Sequence, residues 1–573
     1  MFKFLTFFLS LLLAIVLASE PAFAQISTGV LLHQKSNLSS VESLKSQLRD
    51  ELADPFFNLV LKDHADVTTL SAIEDLIQPL KQERHTFVVD ERIADPTVGQ
   101  SRRSVLTYSG SNGKENLKSN VMLSVSFDSN KFPEQQAVEA WGWDGKRGRY
   151  NYYRLDEQGT GSPSWKFRGS SDNADRLTVA ERGGTCMQCH INGAPIMKEL
   201  LRPWNNWDSL DFKVTYLEAS SIVPWLVAKD IKIDGRLQGA EELELTIIPS
   251  IQEFNSTRIS KKLQLDNNGR PITDGDGLQK VIDGKTLLKP LFTTTEFNII
   301  SANRPQSGLH PFPTITTDGP SQNVKIPNSF FLNANLMSGS VVPPLKGLEI
   351  RDRQTFDDVA ELTPQTFDDV AELTPNEYKD LIVQSQTKLG GRQPGDAVFA
   401  WLVPEPSYID NDLIDKLMRQ GVVTPEFVSA VMAIDLENPI LSEKRQKLLD
   451  LIPDEFRFKP LDAGDDPLTV KRHPDELAQT VIDELERLSP SSNSPEAEFF
   501  EILKSSDPRE ILQERVKAYR FRLATSLDKS NPAARKAELQ RLYDLAIARR
   551  KSVLEDAALS ALNESGDLLF PLP

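Results

Sequence analysis

The chain has 573 residues, with 82 Asp and Glu against 65 Lys and Arg, so its formal net charge at pH 7 is −17. That excess of negative charge repels a phosphate backbone and argues against a nucleic-acid partner. Apolar residues make up 39% and cysteines number 2; the chain can therefore bury a core, but it cannot build a disulfide-stapled scaffold or a four-thiolate metal site.

The first residues read as a targeting segment. Lys3 precedes an almost purely apolar run from Leu9 to Ala18, and Ala22-Phe23-Ala24 has the small-x-small form of a cleavage site. The expectation is a signal peptide over 1–24 and a mature chain starting at Gln25. The run is short for a spanning helix, and helix-breaking Pro21 follows it just before the cleavage site. No later stretch is long and apolar enough to cross a membrane; SIVPWLVA at 221–228 falls far short. The mature protein is expected in the periplasm or outside the cell, with no membrane span.

Residues 25–95 read as a helical N-terminal segment. Ser39-Ser40-Val41-Glu42 has the form of a capping box, followed by Val41, Leu44, Leu48 and Leu52 at helical spacing; Ser71-Ala72-Ile73-Glu74 is a second such start. From about 85 the period shifts toward two. Val121, Leu123, Val125 and Phe127 alternate, with Met122 out of pattern. Glu139, Trp141 and Trp143 lead into the turn pair Asp144-Gly145, then Tyr150, Asn151, Tyr152 and Tyr153, and Trp165 with Phe167 marks another strand. Residues 96–350 are thus expected to form a β-rich domain around an aromatic antiparallel sheet. Within it, LELTIIPSI (243–251) and FNIISA (297–302) read as strands, and DNNGRPITDGDG (266–277) as turns. Residues 351–573 are expected to form a helical C-terminal domain. QTFDDVAELTP occurs twice in tandem at 354–364 and 365–375, each copy a short helical turn closed by Pro, and reads as a local duplication in a surface loop. Leu512, Val516, Tyr519 and Leu523 form an apolar stripe, and Asn531-Pro532 is a helix start. The fold class is α+β.

One motif carries chemistry. Cys186, Cys189 and His190 stand in Thr-Cys-Met-Gln-Cys-His, the C-x-x-C-H arrangement that attaches a c-type haem. Two thiols three residues apart reach the two vinyl groups along one porphyrin edge, and the following imidazole can then bind the iron. Attachment of this kind follows export, in keeping with the signal peptide. Rival readings are a thioredoxin-like thiol pair, a zinc site completed by a distant ligand, and a plain disulfide.

Over about a dozen residues this segment resembles the attachment site of c-type cytochromes. The resemblance implies one covalent haem c with His190 as proximal ligand, and a role for the Pro195 carbonyl as acceptor for the other imidazole nitrogen. The order of antiparallel strands followed by the motif is loosely similar to the cytochrome P460 and beta-type cytochrome c-prime group, which implies a haem held against a sheet. A single motif separates the chain from the di-haem peroxidases.

The distal ligand is open among Met337 in FFLNANLMSG, His310 in GLHPFP, Met197, and an unoccupied or water-bound position. Met122, Met418 and Met432 read as core, and His33, His64, His85 and His473 as solvated. Gly183 and Gly184 would admit a flat ring, Arg182 suits a propionate, and Trp204 and Trp207 suit either the porphyrin or a core. The leading expectation is an exported monohaem electron carrier whose acidic surface steers a basic redox partner. The alternatives are a haem enzyme or gas-binding protein acting at an open site on peroxide or nitrogen oxides, and a scaffold or interaction protein in which haem is structural or absent.

Overall fold

The structure, a computed structural model, describes residues 52–80, 82–89, 101–110, 120–128, 136–156, 163–173, 193, 195, 236–293, 408–438, 442–462 and 475–555, with short pieces at 297–298, 324–325, 372–373, 405–406, 464–465 and 467. It is an α+β protein. Six strands form an antiparallel meander in sequence order: β1 (Gln82–Val89), β2 (Ser101–Gly110), β3 (Val121–Asp128), β4 (Gln136–Asp144), β5 (Arg149–Asp156) and β6 (Ser164–Ser170).

Both faces of this sheet are buried. On the first, Val121, Leu123 and Val125 join Tyr153, Leu155, Trp165 and Phe167 and pack against Phe56, Phe57, Val60, Ile73 and Ile77. Those residues come from the π-helical turn Phe57–Leu61, its approach, and α1 (Leu70–Ile77). On the second face, Phe87, Val105, Met122, Trp141, Trp143, Tyr150 and Tyr152 meet α2 (Ala240–Lys261). Met122 breaks the polar alternation because its side of β3 is also interior, and it is fully buried. The Trp165 indole donates to the Val67 carbonyl at 2.7 Å, and Arg84 on β1 pairs with Glu74 on α1 at 2.5 Å. The helical segment and the sheet therefore share one core, and the boundary expected near 95 falls between two paired strands.

Three local readings change. Thr69, not Ser71, caps α1: its Oγ1 accepts from the Ala72 amide, and Leu70, Ile73 and Ile77 then form the buried stripe. The β4–β5 connection is a loop over 145–148 between the paired Asp144 and Arg149, with the positive φ at Gly148 (58°) rather than at Gly145. The largest correction concerns LELTIIPSI, which lies inside the helix α2. Leu243, Ile247, Ile251 and Phe254 recur at helical spacing, all buried, and the Glu242 carboxylate accepts from the Gly239 amide at the helix start. Within those nine residues Leu243, Leu245 and Ile247 also alternate as a strand does, but Leu245 is exposed and the buried set is Leu243, Ile247 and Ile251.

Four of the described C-terminal helices open on a recurring device, a capping side chain followed by proline. Thr424, Ser494, Asp507 and Asn531 each accept a backbone N–H two or three residues on, at the starts of α5 (Pro425–Ala433), α7 (Pro495–Leu503), α8 (Pro508–Ser526) and α9 (Pro532–Glu555), with α6 (Glu476–Leu488) between the first two. Leu512, Val516, Tyr519 and Leu523 are buried along α8 as their spacing predicts, and Met418 and Met432 are core. Phe427 of α5 meets Phe292 of α3 (Gly284–Phe292) at 6.5 Å and Phe499 of α7 at 5.9 Å. Asn255 of α2 donates to the Ile409 carbonyl and the Asp412 carboxylate of α4 (Tyr408–Arg419), 2.9 Å each, so the helix covering the sheet also touches the C-terminal half.

The FNIISA reading survives as Phe297–Asn298, paired with Glu405–Pro406. The second repeat supplies Glu372–Leu373, a strand pair with Val324–Lys325 where a helical turn was expected; the rest of both repeats and the 39–49 helix lie outside the described residues.

One buried carboxyl joins the first layer to the sheet. Asp54 accepts from the Phe57 amide (2.9 Å), the Asn151 amide group (2.8 Å) and the Tyr153 hydroxyl (2.5 Å). Burial raises its carboxyl above the ordinary value of 3.8, an effect its three donors offset only in part. The folded state thus binds this proton more tightly than the unfolded chain. The contribution is fullest below 3.8 and is lost as pH rises through the raised value. The stability advantage of wild type over Asp54→Asn should accordingly shrink between acid and neutral pH in urea titrations; an advantage that holds constant or grows removes the assignment.

Candidate haem-attachment site

Cys186, Cys189 and His190 lie outside the described residues, as do Met197, His310, Met337, Arg182, Gly183, Gly184, Trp204, Trp207, His33 and His473. What the structure describes next to the motif is Gly193 and Pro195, both buried. The Tyr152 hydroxyl donates to the Gly193 carbonyl at 2.6 Å. Gly193, three residues past His190, has φ 78°, the left-handed region where a side chain is strained.

Tyr152 lies on β5, and its partners in register are Trp141 on β4 and Gly169 on β6. Its side chain belongs to the second face of the sheet, with Met122, Trp141, Trp143 and Tyr150. Gly193 is therefore held by the aromatic face whose strands the sequence revealed. Two residues along β5 on the same face, Arg154 stands opposite Glu139 on one side and Lys166 on the other, all three half-buried.

The structure brings Tyr152 and Gly193 together, neither of which the sequence alone marked as functional. A signal was present in the glycine three positions after the histidine, but a turn glycine is common and its partner was unreadable. Of the histidines expected to be solvated, His64 is exposed, whereas His85 is half-buried on β1. Met122, expected in the core, is there.

The donor set of the motif, two thiols and an imidazole at the attachment spacing, fits a covalently held haem. Among the described residues no group of three His, Cys, Asp or Glu side chains is arranged to hold a metal ion, and no helix is long and apolar enough to cross a membrane. No family model, no curated protein and no solved structure matches the chain.

Proposed function

We propose that the protein is an exported monohaem c-type cytochrome that transfers electrons. The observation that carries this reading is the Cys186-x-x-Cys189-His190 motif. It is supported by the anchoring of the backbone just beyond the motif to a buried tyrosine of a rigid sheet. Bound haem supplies a one-electron iron couple. Cys186 and Cys189 hold it covalently, and His190 binds the iron with one imidazole nitrogen. Trp141, Trp143 and Tyr150 make the neighbouring face of the sheet apolar and nearly dry. Met337, His310 and Met197 are the distal candidates. The charge of −17 favours a basic redox partner, and the leader at 1–24 favours the periplasm or the outside of the cell.

One observation favours the second reading, a haem enzyme or gas-binding protein with an open distal side. Gly193, three residues past His190, is held by an antiparallel sheet covered on both faces, much more framework than electron transfer requires. Spectra separate the two. A reduced low-spin spectrum unchanged by carbon monoxide is the result expected of the carrier, and rapid carbon monoxide binding overturns it in favour of the open site. A Met337→Ala or His310→Ala variant with an unshifted spectrum removes that residue as a ligand.

A further inference from the structure

We propose that α9 is a strap latched by charge: a closed ring of two carboxylates and two guanidiniums, Glu437, Arg522, Glu538 and Arg541, holds it on the C-terminal helices, and raised ionic strength lets it swing out about the turn that precedes it. The proposal does not depend on the haem reading.

Glu437, in the turn after α5, accepts from Arg522 of α8 at 3.1 Å and from Arg541 of α9 at 2.8 Å. Glu538 of α9 accepts from the same two guanidiniums, at 2.9 Å from Arg522 and at 2.8 and 3.0 Å from Arg541. Each charge thus faces two of opposite sign, and the ring joins three separate parts of the chain. The fixed side is rigid. Buried Arg445 donates to the carbonyls of Ile434, Asp435 and Asn438, which holds the turn carrying Glu437 with Asp435 at φ 52°. Arg522 lies over the ring of buried Tyr519, 5.1 Å from its centroid. The moving side is α9. Its first turn is tied to the preceding chain by the Asn531 cap and by Arg535, which donates to the Leu527 carbonyl at 2.7 Å; both ties lie at the pivot. Beyond them, the buried side chains among those described on α9 are Glu538 and Leu539. One leucine is little apolar burial for a helix of 24 residues, so docking away from the pivot depends on the ring. Glu437, Arg522 and Arg541 are 42%, 36% and 37% exposed, so ions reach them. Salt screens such pairs but does not weaken apolar burial.

The test follows backbone hydrogen exchange of the full chain by mass spectrometry, in about 0.05 M and about 1 M sodium chloride. In wild type, exchange in α9 beyond Glu538 is expected to rise about tenfold at high salt, while peptides from α8 and from β3 to β5 keep their rates. Glu437→Gln removes two sides of the ring from an exposed position. Its α9 is expected to exchange about as fast at low salt as wild type does at high salt, with little further response to salt. Glu484→Gln breaks the exposed pair with Arg487 inside α6 and is expected to leave α9 unchanged. Circular dichroism reports whether each variant is folded, and the wild-type salt response tests the strap without any variant. Three results overturn the proposal: α9 exchange that is equal at both salt concentrations, α8 and α9 accelerating together, or a wild-type salt response retained in folded Glu437→Gln.

Discussion

Replacing Cys186 and Cys189 together with serine is expected to abolish covalent haem entirely. The mature variant should have the mass of the bare polypeptide, and acid–acetone should leave no chromophore in the protein pellet. The reason is the chemistry of the link: a thiol adds across a porphyrin vinyl to form a stable thioether, and a serine hydroxyl does not replace it. Each single substitution leaves one sulfur, so one thioether persists and the haem still resists extraction, with an altered absorption band. The same mass measurement on wild type discriminates among the alternatives. A haem adduct supports the c-type reading, and the bare mass less two hydrogens identifies a disulfide. A metal adduct that a chelator removes identifies zinc, for which the motif itself has three donors and a fourth must come from elsewhere. Wild type made in a haem-attaching host and found without the adduct would end the cytochrome reading.

The second large effect is structural and lies in the junction between the first helical layer and the sheet. Gly142 on β4 faces Asp54 so closely that a Cβ built there lies 2.9 Å from the carboxyl carbon and 3.0 Å from the Asp54 Cβ. Neither neighbour can withdraw. Asp54 is fully buried and held by Phe57, Asn151 and Tyr153, and Gly142 is paired on both sides, with Val121 and Asn151. Gly142→Ala should cost about 2–3 kcal/mol by overpacking. Asp54→Ala leaves three buried donors without their acceptor and should cost about 3 kcal/mol or more. The two losses share one space, because truncating Asp54 makes room for the methyl group. The double variant is therefore expected to be more stable than the sum of the single losses predicts, by at least about 1 kcal/mol in urea unfolding followed by circular dichroism. Losses that add to within about 0.5 kcal/mol would show that the two residues do not compete for that space.

The elements that could be read from the sequence are those whose burial pattern is local. Val121, Leu123 and Val125 alternate and form one side of β3; Leu512, Val516, Tyr519 and Leu523 are spaced as a helix and lie buried on α8. Asn531-Pro532 opens a helix because a capping oxygen and a missing amide act within one turn. The C-x-x-C-H motif is legible for a related reason: its five residues are consecutive in the chain. The misreadings occurred where a short window was ambiguous. LELTIIPSI fits both a period of two (Leu243, Leu245, Ile247) and a helical one (Leu243, Ile247, Ile251), and only packing against the sheet shows that the second holds. Ser71 and Thr69 are both competent caps two residues apart, and the buried positions Leu70, Ile73 and Ile77 selected Thr69.

By itself the sequence determined the α+β class, the order of the aromatic strands and the Asn531-Pro532 helix start, and it holds the Cys186-x-x-Cys189-His190 motif on which the haem proposal rests. Each depends on neighbours along the chain, where covalent geometry sets what can meet. Tertiary structure alone decided that both faces of the sheet are interior, that residues 52–80 share a core with the strands, and that Asp54, Asn151, Gly142 and Tyr153 form one junction. It also decided that Tyr152, 41 positions away in the chain, reaches Gly193. Those pairings are made by packing between distant segments, whose partner choice depends on the shape and burial of the assembled layers, and no local period encodes it.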